Sequence, residues 1–185
     1  IIDRANIRSS LVFRSFLSHN SSNLLRAYKT YIRPLLEYAS STWSPSLITQ
    51  IMALEMVQKK FTKRIPNLSD LNYNDRLHSL KLQYLEHRRL ICDIVLCYKI
   101  VHNNLCMTFT DLFKFPNITS PRRHSLQLYC PVLKSNLHKG SFAYRVISPW
   151  NSLPENIVCA PNAVTFKNRL SKFDSSKFLI FPCIV

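Results

Sequence analysis

The residues with the clearest chemical potential in this sequence are its cations. Lys59, Lys60, Lys63 and Arg64 stand close together, and Lys29 and Arg33 flank the tyrosines Tyr28 and Tyr31. Arg88 and Arg89 are adjacent, Arg122-Arg123-His124 forms a run, and Lys134, Lys139 and Arg145 follow. Ammonium and guanidinium groups spaced in this way neutralise phosphates and release their condensed counterions. Tyrosine rings and guanidinium planes beside them can stack on unpaired bases. The charge is a real excess, since 25 Lys and Arg face 10 Asp and Glu for a net +15. An anionic membrane surface is the rival partner, but the basic helix around Lys60 needs its apolar face for a core. Trp43 and Trp150 read as core anchors.

The carboxylates point away from catalysis. Asp3, Glu37, Glu55, Asp70, Asp75, Glu86, Asp93, Asp111, Glu155 and Asp174 include no adjacent pair and no D-x-D or E-x-x-E. A two-metal phosphoryl-transfer site needs clustered carboxylates, and no local run supplies them. Gly140 is the single glycine, where average usage would give roughly 13. That excludes a P-loop, a G-x-G-x-x-G dinucleotide site and a G-x-S-x-G hydrolase, which need glycines for tight turns and close backbone approach. Cys92, Cys97, Cys106, Cys130, Cys159 and Cys183 form no C-x-x-C pair, and the histidines fall at no zinc spacing near them. They read as buried free thiols.

The elements that must position the cations are mostly helical. Ser22 or Asn23 is expected to cap a helix over 24–32, with Leu24, Ala27, Tyr28 and Tyr31 along one side and Pro34 ending it near Arg33. A short helix through Tyr38 follows, in whose first turn Pro34 can itself stand. From 46 to 65 the pattern is amphipathic: Leu47, Ile51, Leu54, Val57, Phe61 and Ile65 share one arc, and the four cations lie opposite. Pro66 stops this helix, and a short one is expected over 73–80. Residues 85–101 form a long helix, apolar nearly all round and so central, in which Arg89 and Asp93 are placed to pair. Beyond about 110 the prolines multiply. Alternation of Leu126, Leu128, Cys130 and Val132 predicts a strand, 142–147 predicts a second, and Asn162 caps a last helix with Val164, Phe166, Leu170 and Phe173 inward. The expected fold class is mainly α, a helical bundle followed by a loop-rich tail with one or two short strands and a final helix. Residues 178–185 are too short an apolar run to span a bilayer. With no secretory signal before the first helix, the sequence reads as intracellular, and its start at Ile1 as part of a longer frame.

Several stretches together resemble the C-terminal part of non-LTR (LINE-type) retrotransposon reverse transcriptases, the jockey-like group in particular. They are YKTYIRPLLEYASSTWSP at 28–45, ITQIMALEMVQKKFTKRI at 48–65 and YNDRLHSLKLQYLEHRRLICDIVLCYKI at 73–100. RRHSLQL at 122–128, FAYRVISPWNSLPENIV at 142–158 and FKNRL at 166–170 continue the order. Arg123 departs from the pattern, because relatives often carry glycine there. The resemblance implies that 1–65 are thumb helices, 66–108 post-thumb helices and 109–185 a C-terminal mixed segment. It implies a parent RNA-directed DNA polymerase whose F/Y-x-D-D palm and Mg2+ lie upstream, with no cofactor and no catalytic site in this stretch.

The partners implied are an RNA template, a DNA primer and the upstream palm, in a ribonucleoprotein of nucleus and cytoplasm. Lys29, Arg33, Lys59, Lys60, Lys63, Arg64, Arg88, Arg89, Arg122 and Arg123 are the candidate nucleic-acid contacts. Two other readings stay open: a stand-alone basic RNA-binding relic, and a protein-interaction segment that docks on the rest of the polymerase.

Overall fold

Three asparagines set where helices begin. In the computed structural model, which describes residues 1–16, 20–105, 109–116, 124–132 and 140–181, the Asn20, Asn72 and Asn162 side chains accept the N–H groups of Ser22, Asp75 and Thr165 at 2.9, 2.9 and 2.8 Å. Each cap stabilises its helix by about 1 kcal/mol. The helices are α1 (Ile2–Ser15), α2 (Ser21–Ala27), α3 (Arg33–Glu37), α4 (Ser40–Trp43), α5 (Ile48–Lys63) and α6 (Tyr73–Ser79). There follow α7 (Leu85–Val101), α8 (Phe109–Leu112), α9 (Phe142–Arg145), α10 (Ile147–Asn151), α11 (Glu155–Val158) and α12 (Ala163–Leu170). The fold is mainly α.

Pro34 does not end the second helix. Tyr28–Ile32 widens into a π-helical turn, in which the Arg33 N–H reaches the Tyr28 carbonyl, and α3 continues with Pro34 in its first turn. The wider turn gives room to a ring that would otherwise strike the carbonyl four residues back. It also shifts the register. Ile32 takes the inward place after Tyr28, and Tyr31, expected inside, is 52% exposed.

Two cores divide the chain within α7. The first packs Val12, Leu24, Tyr28, Ile51 and Phe61 with residues as far as Leu85, and Phe181 returns from the C-terminal side to join it. The Phe61 ring sits 4.9 Å from both Phe13 and Tyr28. The second core collects Ile94, Cys97, Tyr98, Trp150, Val158, Phe166 and Leu170. Asp93 lies at the seam. It is bound by Arg145 at 2.8 and 3.3 Å, while the same guanidinium donates to the Gly140 and Ser41 carbonyls at 2.8 and 2.7 Å. The expected Arg89–Asp93 pair is therefore not made, because Arg145 takes both carboxylate oxygens.

Neither strand expected in the tail forms, and no strand occurs among the described residues. Phe142, Val146 and Trp150 recur at helical spacing, and the segment folds as α9 and α10 with Val146, Ile147 and Trp150 buried. The stretch 126–132 runs without a partner strand: side chains bond the backbone of Leu126 and Leu128, and the Tyr129 N–H donates to the Lys114 carbonyl at 2.8 Å. The Asn151 amide bonds both the N–H and the carbonyl of Leu128 at 2.8 Å, and the Trp150 indole N–H donates to the Leu126 carbonyl at 2.9 Å. Only Leu128 of the four alternating residues is buried, and Val132 is 93% exposed. Asn151→Leu is expected to strand two buried polar groups and cost about 1–3 kcal/mol, read as a lower urea midpoint.

Two smaller expectations also change. Val164 on α12 is 70% exposed, whereas Phe166 and Leu170 are buried. Of the described cysteines only Cys97 is buried, while Cys92, Cys130 and Cys159 are exposed, all without disulfides. Cys106 and Cys183 lie outside the described residues.

Candidate nucleic-acid interface

Burial of one face of α5 determines what the other presents. Ile51, Leu54, Val57 and Phe61 face the first core, and so do Glu55, Gln58 and Thr62, all three fully buried. Leu47, expected in the core, precedes the helix as its N-cap and is 60% exposed. The outer stripe carries Met52, Met56, Lys59, Lys60 and Lys63, within about 100° of arc at 3.6 residues per turn. Glu55 is the helix's single acid, so the exposed face of α5 carries cations and no carboxylate.

The three lysines of this helix and Arg64, its C-cap, are held differently. The Arg64 guanidinium lies 3.9 Å from the Phe13 ring centroid and so ties α5 to α1. Lys59 is half-buried with its ammonium 5.8 Å from the Tyr73 ring. Such cation–π contacts orient a charge without neutralising it. Lys60 and Lys63 are exposed and make no ion pair among the described residues.

A polar network inside the helix fixes its rotation. The Tyr28 hydroxyl donates to Gln58 Oε1 at 2.6 Å, and Gln58 Nε2 donates to the Tyr73 hydroxyl at 2.9 Å and the Gln83 carbonyl at 3.1 Å. Tyr73 in turn donates to Glu55 Oε1, and the Leu85 N–H donates to Glu55 Oε2 at 2.9 Å. A carboxylate on α5 thus caps the start of α7. Burial raises the Glu55 carboxyl above its ordinary value, opposed by the bonds from Tyr73 and Leu85 and by the nearby Arg89 charge. Burial likewise raises the Tyr28 and Tyr73 phenols, with Glu55 adding to both.

Other candidates from the sequence are spent on the fold. Arg88 grips both carboxylate oxygens of Glu37, the second at 3.0 Å, and Arg33 lies 3.8 Å from the same group. Arg89 is 2% exposed, so as a nucleic-acid contact it is corrected. Its guanidinium has no hydrogen-bond partner among the described residues. Burial lowers its pKa, and Glu55, Glu86, Glu37 and Asp93 hold its charge. Lys29 is half-buried at the π turn, one turn beyond the exposed Arg26. Arg145 is the seam residue described above. Arg122, Arg123, Lys134 and Lys139 lie outside the described residues.

What sequence reasoning missed is the set of cations on α1, a segment whose helical character it did read. Its Ala5, Ser9, Val12 and Phe13 are buried, and Arg4, Arg8 and Arg14 are exposed on the helix that packs against α5. Arg8 also donates to the Tyr31 carbonyl at 3.4 Å. The four-residue spacing of Arg4 and Arg8 is the signal that marks this basic face. Arg64 stacked on Phe13 brings the last turn of α1, with Arg14, to the C-terminal end of α5, whereas Arg4 and Arg8 lie on the other side of α1, about 140–180° around the helix from Phe13.

Three further carboxylates accept backbone N–H groups. Glu86 accepts the N–H groups of Ile180 and Phe181 at 2.9 and 2.8 Å. Glu155 accepts the Ser125 N–H and hydroxyl at 2.8 and 2.7 Å, and Asp174 the Ser176 N–H at 2.9 Å. Among the described residues no three His, Cys, Asp or Glu side chains are grouped to hold an ion. No described helix is long and apolar enough to cross a membrane.

Over 128 residues, 68% of its length, the chain is 27% identical to uncharacterized protein B0403.1 of Caenorhabditis elegans, of which it spans 61%. No protein-family model matches the chain, and no solved structure matches it significantly.

Proposed function

We propose that this chain is the C-terminal part of an RNA-directed DNA polymerase of the non-LTR retrotransposon type. In this reading its first helices grip a template-primer duplex or RNA through the phosphate backbone, and catalysis resides elsewhere in the polypeptide. The sequence motifs at 28–45, 48–65, 73–100 and 142–158 supply the resemblance. The observation that carries the binding role is the acid-free outer face of α5, where Lys60 and Lys63 make no ion pair among the described residues and Arg64 follows them at the C-cap.

The chemistry suits a grip that must slide. Contacts to phosphates hold a duplex at any register, whereas base-edge contacts would stall it. Lysine ammoniums are mobile point charges and tolerate movement along the backbone. Glu55, turned inward, leaves no repulsive charge on this face, and the network through Tyr73 and Leu85 keeps it turned inward.

Lys60→Glu with Lys63→Glu tests this reading. Affinity for RNA–DNA template-primer duplexes is expected to fall alike for unrelated sequences. The slope of log affinity against log salt is expected to shrink by about 0.9 for each phosphate that the variant no longer neutralises. Unchanged affinity and slope would remove this face from the binding surface.

A further inference from the structure

Helix α7 is apolar on more sides than its neighbours cover. Leu85 joins the first core and Ile94, Cys97, Tyr98 and Ile100 the second, yet Ile91, Val95 and Leu96 remain half-buried. They line a groove of about 290 Å³, with α12 as its second wall through Lys167 and Ser171. Its rim holds Arg88, Lys99 and Lys167, and among the described residues no carboxylate lines it. Arg88 is already matched by Glu37, so the unmatched charges are Lys99 and Lys167. Val164, 70% exposed, lies on the same stripe of α12 as Lys167 and Ser171 and extends that wall with an apolar side chain.

We propose that this groove receives an acidic amphipathic helix from a partner protein. Charge selects the partner: its glutamates or aspartates meet Lys99 and Lys167, and its leucine-like side chains enter over Ile91, Val95 and Leu96. Geometry selects the helix. Arg88 and Lys99 are eleven residues apart on α7, about 16 Å along its axis, which a partner helix of about three turns would span. Strand addition by an extended peptide would need a sheet edge, and no strand exists among the described residues. A helix satisfies its own backbone and presents anchors every three or four residues to such a groove. The binding surface is distinct from the outer face of α5, and the inference stands without the polymerase reading.

The test uses the whole chain and a fluorescein-labelled synthetic peptide of about four turns, with leucines at helical spacing and glutamates elsewhere. Anisotropy is expected to show saturable binding, absent for the same peptide with lysines replacing the glutamates. Lys99→Glu with Lys167→Glu is expected to weaken binding about tenfold or more. Val164→Glu, at a surface position with little bearing on folding, is expected to weaken it as well. Bound peptide is also expected to slow alkylation of Cys92, which lines the groove, and to leave Cys130 and Cys159 reacting as before. No binding, equal affinity for the lysine peptide, or unaltered binding by both variants would overturn the proposal. So would a loss of RNA affinity in the Lys99/Lys167 variant with peptide binding retained, which would assign the groove to nucleic acid.

Discussion

Arg145→Met is expected to lower the stability of the chain by about 3–5 kcal/mol, the cost of leaving a buried carboxylate without its partner. Asp93 is 3% exposed and receives both of its bonds from this guanidinium. The Ser41 and Gly140 carbonyls lose their donor at the same time. The loss falls at the seam between the two cores, so its signature is a loss of cooperativity as well as of stability. Trp43 packs against the first core and Trp150 lies in the second. Single-tryptophan chains, Trp43→Phe and Trp150→Phe, therefore report one core each. Their urea transitions are expected to coincide with Arg145 present and to separate in Arg145→Met. A variant that unfolds as stably and as cooperatively as the parent would show that Arg145 does not join the cores.

The second large effect is on pH dependence. Glu55 carries a raised pKa in the folded chain, against an ordinary value of 4.5. Between those two values the native state keeps a proton that the unfolded state has released. The contribution is present in full below pH 4.5 and is lost as pH rises through the folded value. Within that window stability falls by up to about 1.4 kcal/mol per pH unit. The lowered pKa of His87, due to burial and then to Arg88, acts in the opposite sense, its stabilisation growing as pH rises. Comparison with Glu55→Gln removes the histidine from the difference. The free-energy gap between parent and Glu55→Gln is expected to shift against the parent from pH 4.5 upward, and a gap independent of pH would refute a buried, proton-retaining Glu55.

The parts of this fold that could be read from the sequence are those set by local chemistry. Periodicity placed α5 and α7, with α7 observed over the expected 85–101, and Asn162 capped α12 as its position suggested. Where distant groups supply the decisive partner, local reading failed. The 126–132 alternation looks like a strand, but the side chain of Asn151 replaces the neighbouring strand. Pro34 looks like a stop, but a π turn, which leaves no compositional trace, absorbs it. Arg89 and Asp93 are well spaced to pair, and a guanidinium 52 residues away along the chain intervenes.

The candidate interface divides in the same way. The cations of α5 were legible because burying one face of a helix necessarily exposes the other. Glu55, Gln58 and Thr62 share the meridian of Ile51, which is the trace that could have placed them inside. The contribution of α1 depended on tertiary packing, since Arg64 meets Phe13 only once α1 lies against α5. Arg88 and Arg89 carry the same charge as Lys60 and Lys63. Their place on the helix shared by both cores sets them against Glu37 and the interior instead.

The backbone grip is tested most directly by the salt dependence of binding to two RNA–DNA template-primer duplexes of unrelated sequence. Backbone gripping predicts equal affinities at every salt concentration and a steep linear fall of log affinity with log salt, made shallower by Lys60→Glu with Lys63→Glu. Binding that ignores salt, that separates the two sequences, or that is absent at low ionic strength would contradict it.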